Sequence, residues 1–562
     1  HHTASAILAE EAFDAAADPK RFPEQLKYTQ VWQTKRIFWN TFNFGGTNTT
    51  APNQLQVDVG VFNPLTGKSY GEVAAESRSN HKSQGFGSAK TRGSAIEYFK
   101  LIKGDSAKAD LFEGIDQSWN RLGASKIKAQ LEESIMRFSF QNPEKSIADL
   151  TAVYKLLQTL DEKKAEIGYW KKLKIKEAEN LLLSCSGLWC EASAADYIGI
   201  PGSPADITAQ LVNRNKSEVK LSKITFFGQT DTVLSVNPKQ NELLSYKHKE
   251  LIPVQMNFSN PYWLNEKHGV GRYTVSDRLL IGKPENEAPA KVVFAIELNG
   301  LALNIERALV YKSTDPVKGE IYRPFEILPP ATINLSEKMY VFGDAGPKTF
   351  QLIIKANAGN ISGTIESKVP EGWILNLEKK TFSFTNKGEE LIVNGSLLPG
   401  KESKEGKLEV SLKINNTTYN KSIKRIDYDH IPSQFILSTA EADLVKIDLK
   451  KTGTRIAYIP GAGDEVMECM KQVGYDITLL TDDLLAAGDL TKYTAIVTGV
   501  RAYNTNEKLQ NYYSRLMDYV SQGGNLVVQY NTNNRIGPLL AKIGPYPFTI
   551  SRDRVTDEHA EM

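Results

Sequence analysis

Cysteine is scarce in this chain: three in 562 residues. Cys185 and Cys190 lie close together and Cys469 is distant. An odd number without a C-x-x-C pair excludes a disulfide framework and a zinc knuckle. Cys185 and Cys190 are expected as buried helix-end residues, and the redox compartment stays open. Charge of one sign is also lacking. With 68 Lys and Arg against 66 Asp and Glu, the Lys-rich stretches are matched by acids, and no nucleic-acid surface is indicated. No apolar run is long enough to span a bilayer. No signal peptide is visible, and the first residue is not Met, so the N-terminus is silent about export.

What is present is ordinary globular material, 41% apolar and 24% charged. The length is too great for one core, which implies three to five domains. Residues 1–103 mix helix and short strands. Lys35 to Asn40 reads as a buried strand, Asn43 to Asn48 as a loop, and Val57-Asp58-Val59 as a strand. Pro64 to Gly67 is a turn, and Ser69 to Phe86 reads as a helix with a polar face. Residues 104–190 carry helical periodicity over Ser125–Phe138, Ser146–Leu160 and Glu162–Leu183, a connector packed on its neighbours.

From residue 191 the pattern turns to β. Ile207–Val212 and Val219–Phe227 read as strands, and Ile252–Val254 and Arg272–Val275 continue the theme. Regular turn signals predict β-sandwiches over 191–328 and 329–430. Trp373 and the Tyr262-Trp263 pair fit either sandwich core or sugar-stacking platforms. Residues 451–562 alternate β and α with near-continuous apolar strands, which predicts a parallel α/β sheet. Pro460 to Glu465 is a Gly-rich turn without the third Gly of a dinucleotide fingerprint, and Asp464-Glu465 repels phosphate.

The opening residues carry the sharpest signal. His1-His2-Thr3-Ala4-Ser5-Ala6-Ile7-Leu8-Ala9 sets a histidine at the head of a helix, whose apolar face is Ala6, Leu8 or Ala9, Ala12 and Phe13. A helix fixes where such a ring points, which suits a metal ligand. The dipeptide alone also fits the tail of a purification tag. With Ala17-Asp18-Pro19 and Arg21 to Leu26, the run resembles the second half of a PIG-L/LmbE-like zinc deacetylase. A second element, Tyr70 to Gln84 with its His81-x-Ser83-Gln84 core, resembles that family's late sugar-pocket motif.

The resemblance implies an α/β fold remnant over 1–103 and zinc-dependent hydrolysis of an N-acetylglucosamine-type sugar or conjugate. It implies His2 as a zinc ligand and Arg78, His81, Ser83 and Gln84 against the substrate. On a helix, Arg78 and His81 share a face. No H-P-D-D-type motif occurs, so the general base, the other ligands and the catalytic His are expected upstream of residue 1, leaving the fragment inactive alone. Val369 to Trp373 with Phe382-Ser383-Phe384 resembles the small NEW3-like sandwiches of bacterial carbohydrate enzymes. The 451–562 block resembles class I glutamine amidotransferase-like (flavodoxin-like) domains, with its C-terminus expected to be cut. Those enzymes need a Cys on a sharp turn after a strand. None follows Asn525–Tyr530, and Cys469 reads as helix core, so glutaminase activity is not expected. The competing reading is a non-catalytic carbohydrate-binding or cell-surface protein, and either reading implies export.

Overall fold

The computed structural model describes residues 2–227, 230–343, 346–533 and 542–551, without the side chains of Ser83 and Ala165. The chain is multidomain and mostly β-sheet, with helices in three places.

The front segment has helix His2–Ala15 beside a three-stranded antiparallel sheet. Its central strand, Ile96–Gly104, pairs with Arg36–Thr41 on one side and Leu55–Asp58 on the other. Asp14 pairs with Lys103 at 2.5 Å, and the Lys103 ammonium lies 5.3 Å from the Phe13 ring centre. These contacts tie helix to sheet. The expected buried strand at Lys35–Asn40 is only half-buried: Arg36, Ile37 and Phe38 are partly covered, and Trp39 and Asn40 are exposed.

Helices Ser125–Arg137, Ile147–Gln158 and Ala165–Ser186 follow. They bury Ile127, Leu150, Leu157 and Leu182 in one continuous cluster with the strands after them. Cys185 ends the third helix, but Cys190 lies in strand Leu188–Ala194 rather than at a helix end. The alternating burial of Leu188, Cys190 and Ala192 explains the difference: the period is two, not 3.6.

The first β unit is an eight-stranded curled sheet. Strand Leu301–Asp315 bends it: its first half pairs with Lys291–Leu298, its second with Leu188–Ala194 and Gly319–Pro324. Pro204–Asn213 and Val219–Phe226 do not pair with each other. The former joins Leu188–Ala194 and Leu243–Leu251, the latter Thr230–Val236 and Lys291–Leu298. Ile252–Val254 and Arg272–Val275 are not strands; apart from a Gly269–Arg272 bridge they lie in a loop excursion.

The second β unit is a two-sheet sandwich. Ala331–Leu335, Lys348–Ala356, Glu390–Pro399 and Trp373–Leu377 form one sheet. Met339–Phe342, Glu441–Lys446, Gly406–Ile414, Ile361–Lys368 and Thr381–Phe384 form the other. Phe342, Phe350, Trp373, Val393, Leu408 and Leu412 fill the space between. Hairpin Lys421–Ile426/Gln434–Thr439 reaches back to the first unit. Ile200, Leu328 and Leu437 share a small core, and the Leu437 N–H donates to Asn260 at 2.9 Å. Tyr197 stacks on Phe435 between the Arg323 and Lys387 cations.

The last unit is a parallel four-stranded sheet. Its order is Asp476–Leu479, Arg455–Ile459, Ala495–Thr498, Asn525–Val528. Ile456, Tyr458 and Val497 face helix Val466–Gln472 through Val466, Met467 and Met470. Ala457, Ile459 and Ile496 face the opposite side, under Leu485, Leu509, Leu516 and Tyr519. Cys469 is on the first of these helices as expected but is exposed, not core, since Val466, Met467 and Met470 take the inward face. A thiol reagent should therefore label Cys469 rapidly in native protein. Cys185 and Cys190, whose thiols burial pushes up, should react only on unfolding. Mass spectrometry of the labelled peptides checks this, and fast native labelling of Cys190 would contradict the core packing.

Candidate functional site

Two places carry chemistry. The first is the front segment. Helix Tyr70–Ser79 starts at Ser69 with a capping box: the Ser69 hydroxyl accepts from the Glu72 N–H, and Glu72 accepts from the Ser69 N–H. Glu72 also pairs with Arg92 at 2.8 Å. Glu76 holds Lys68 at 2.8 Å and Lys90 at 2.6 Å.

Hydrogen bonds from Lys68 and Lys90 lower the Glu76 carboxyl to about 2. A depressed pKa stabilises the fold above the ordinary carboxylate range, and the contribution is lost as pH falls through the lowered value. Carboxyl carbon NMR should find Glu76 titrating near pH 2, and Lys68→Ala should raise that value. Titration in the ordinary carboxylate range would show that the clamp does not form in solution.

The helix ends at Ser79, not Phe86. Asn80 caps it, Lys82–Gln84 makes a short 3-10 turn, and Gly85 takes φ +67°. That left-handed step turns Phe86 back onto the helix end. Arg78 and His81 therefore do not share a helical face. They meet instead around Phe86, the guanidinium 5.2 Å and the imidazole 6.5 Å from its ring centre. All three are exposed, as is Gln84. The Ser83 side chain lies outside the described residues. The three side chains bring a cation, an imidazole and an apolar ring together at the surface.

His2 is the first residue of helix His2–Ala15 and is exposed; His1 lies outside the described residues. Among the described residues no three His, Cys, Asp or Glu side chains are grouped as a metal site. The described residues do not themselves make a zinc site, and His2 is the single ligand expected from this chain.

The second place is the carboxyl edge of the parallel sheet. A sharp turn follows Ala495–Thr498, where Arg501 has φ +58°; residues 534–541, after the stretch searched for a cysteine, lie outside the described residues. The signal missed was Gly499-Val500-Arg501-Ala502, a glycine closing an apolar strand just before a helix. Asp464 braces the neighbouring turn. Its carboxylate accepts from the Tyr458 hydroxyl at 2.5 Å, the Val466 N–H at 3.0 Å and the Val500 N–H at 2.8 Å. Burial raises the Asp464 pKa, but these three bonds outweigh it and hold the carboxyl below its ordinary value. Burial, then Asp464, pushes the Tyr458 hydroxyl up.

No family model and no curated protein matches the chain. Among solved structures, it is similar to a FixG-related protein from Vibrio parahaemolyticus, at 14% identity and TM-score 0.14, over 21% of this chain and 98% of that one. A protein of unknown function from Porphyromonas gingivalis W83 aligns at 9% identity and TM-score 0.14, over 46% of this chain and 99% of that one. Escherichia coli alpha-2-macroglobulin activated by porcine elastase aligns at 8% identity and TM-score 0.18, over 46% and 22%. Similarities this weak assign neither fold nor activity.

Proposed function

We infer that the front segment is one layer of a zinc-dependent deacetylase domain acting on N-acetylglucosamine-type sugars or conjugates. In this reading it is an LmbE-like α/β remnant, carried with a flavodoxin-like C-terminal unit. One observation carries the reading. Among the described residues, the buried apolar clusters contain nothing before Ala124. The front segment meanwhile exposes Ile7, Leu8, Trp32, Phe44, Phe62 and Leu65, all of them more than half bare: Phe44 is 82% and Leu65 91% accessible. So much exposed apolar surface beside so little buried core supports a further layer over this segment.

A covering layer bearing the base and remaining ligands would complete the site beside His2, and the Arg78–His81–Phe86 platform would bind sugar hydroxyls and a ring face. The order and spacing of the two sequence elements support this assignment. In the reading, zinc supplies the activated water that hydrolyses the amide. Export follows from the sugar substrate by analogy.

The encoding DNA upstream of His1 tests the reading first. An in-frame H-P-D-D-type motif, with a histidine two residues before His1, is expected. A start codon or vector tag directly before His1 would overturn it. With the upstream sequence attached, Arg78→Ala should raise KM about tenfold, equal to about 1.4 kcal/mol of binding. An unchanged KM would return Arg78 to the solvated surface.

The second reading, a non-catalytic binding protein, is favoured by one feature: Cys469 of the last unit lies on helix Val466–Gln472 and not on a turn after a strand.

A further inference from the structure

Helices Ser125–Arg137, Ile147–Gln158 and Ala165–Ser186 do not close fully on one another. With the short turn Trp119–Leu122 they leave an open-mouthed cavity of about 370 Å³, a size typical of small-molecule pockets. Its lining is sorted by burial. Leu150, Val153, Leu157 and Ala178 form the inner part, none more than 7% exposed. The third helix contributes only a methyl group there, at Ala178, and that leaves the space. Trp119 and Trp170 are half-buried, and Gln117, Arg121 and Leu181 stand exposed at the rim.

The rim carries cations. The Arg121 guanidinium lies 5.5 Å and the Lys174 ammonium 5.6 Å from the Trp170 ring centre. Lys174 is held by Glu177 at 2.7 Å. Arg121 is held less firmly. Its ion-pair partner is Glu166, 3.5 Å from Nε, in a pair exposed on both sides, the kind that contributes little. Among the described residues no hydrogen bond occupies its N–H groups. Asp116, another acid in range, accepts from the Ser118 hydroxyl at 2.7 Å and the Ser118 N–H at 2.8 Å. An aliphatic interior thus ends at a guanidinium with donors to spare. A guanidinium presents paired N–H groups to a carboxylate. The inner leucines and valine offer the hydroxyls of a sugar no partner.

We propose that this cavity binds a medium-chain carboxylate, its hydrocarbon tail against Leu150, Val153 and Leu157 and its head on Arg121 in place of Glu166. The rim decides the head. A neutral alcohol gains no ion pair from Arg121, and a phosphate monoester brings a second negative charge toward Glu166 and Glu177. This inference is independent of the deacetylase reading.

The test is equilibrium dialysis of labelled octanoate against the full chain, at constant ionic strength and far below micelle-forming concentrations. One site per chain with a Kd of about 0.1–1 mM is expected. Hexanoate should bind roughly tenfold more weakly, because two fewer methylenes leave water. Arg121→Gln, an exposed position, should weaken octanoate binding about tenfold. Glu166→Gln should tighten it several-fold by removing the competing carboxylate, a gain that damage to the fold does not produce. Octanol should bind several-fold more weakly than octanoate. Octanol bound as tightly as octanoate would overturn the proposal, as would octanoate binding unmoved by Arg121→Gln and Glu166→Gln. So would the absence of saturable octanoate binding below about 10 mM.

Discussion

Replacing Trp373 by alanine should destabilise the second sandwich by about 3–5 kcal/mol, the range for deleting a buried large aromatic. The indole is 6% exposed and meets Phe342 edge-on, ring centres 4.9 Å apart. Its N–H donates to the Lys404 carbonyl at 2.8 Å. Trp373→Phe keeps most of the packing and loses that bond, so it should cost about 1 kcal/mol, since the freed carbonyl is on an exposed residue and can turn to water. Urea unfolding with hydrogen exchange in strands Lys348–Ala356 and Gly406–Ile414 reports on this unit specifically. A cost below about 1 kcal/mol for the alanine variant would place the ring on a rim, free to stack on sugars, and would contradict the core assignment.

Gly461→Ala should cost the parallel sheet about 3 kcal/mol or more, through overpacking against atoms that cannot rotate away. A β-carbon at Gly461 would stand 2.1 Å from the Val500 carbonyl oxygen and 2.7 Å from the Gly499 carbonyl carbon. The same two turns are laced by Ala462 N–H to Val500 O and Gly499 N–H to Ile459 O, both 2.7 Å. Gly463 is the control. It has φ +111° but nothing near its missing β-carbon, so Gly463→Ala brings backbone strain alone, about 1–3 kcal/mol. Loss of exchange protection in Arg455–Ile459 and Ala495–Thr498 should be deeper for Gly461→Ala. Equal losses would show that the turns are not in contact.

Those turns also show where the sequence was readable. Strand Asn525–Tyr530 was placed within two residues of the observed Asn525–Val528, because a continuous apolar run reflects burial directly. Helix Ser69–Phe86 was overextended because its polar face has no periodicity to lose; what ends it is Asn80 and the left-handed Gly85. Strand Ile96–Gly104, the centre of the front sheet, went unseen, since its half-buried faces leave no clean alternation. Cys469 read as core because the helix was legible and its orientation was not. At the front, the proposed metal-ligand role of His2 rests on sequence resemblance, whereas the meeting of Arg78 and His81 around Phe86 comes from the turn at Gly85. At Arg501 the strand was legible, but the conformation that makes the turn sharp belongs to tertiary contacts with Tyr530.

The most direct measurement is zinc content and acetate release by the protein joined to its native upstream sequence, compared with its His2→Ala variant. One tightly held zinc per chain and hydrolysis of an N-acetylglucosamine substrate are expected, with both lost in the variant. Zinc content and turnover unaffected by His2→Ala would contradict the placement of His2 in a metal centre and, with it, the deacetylase account.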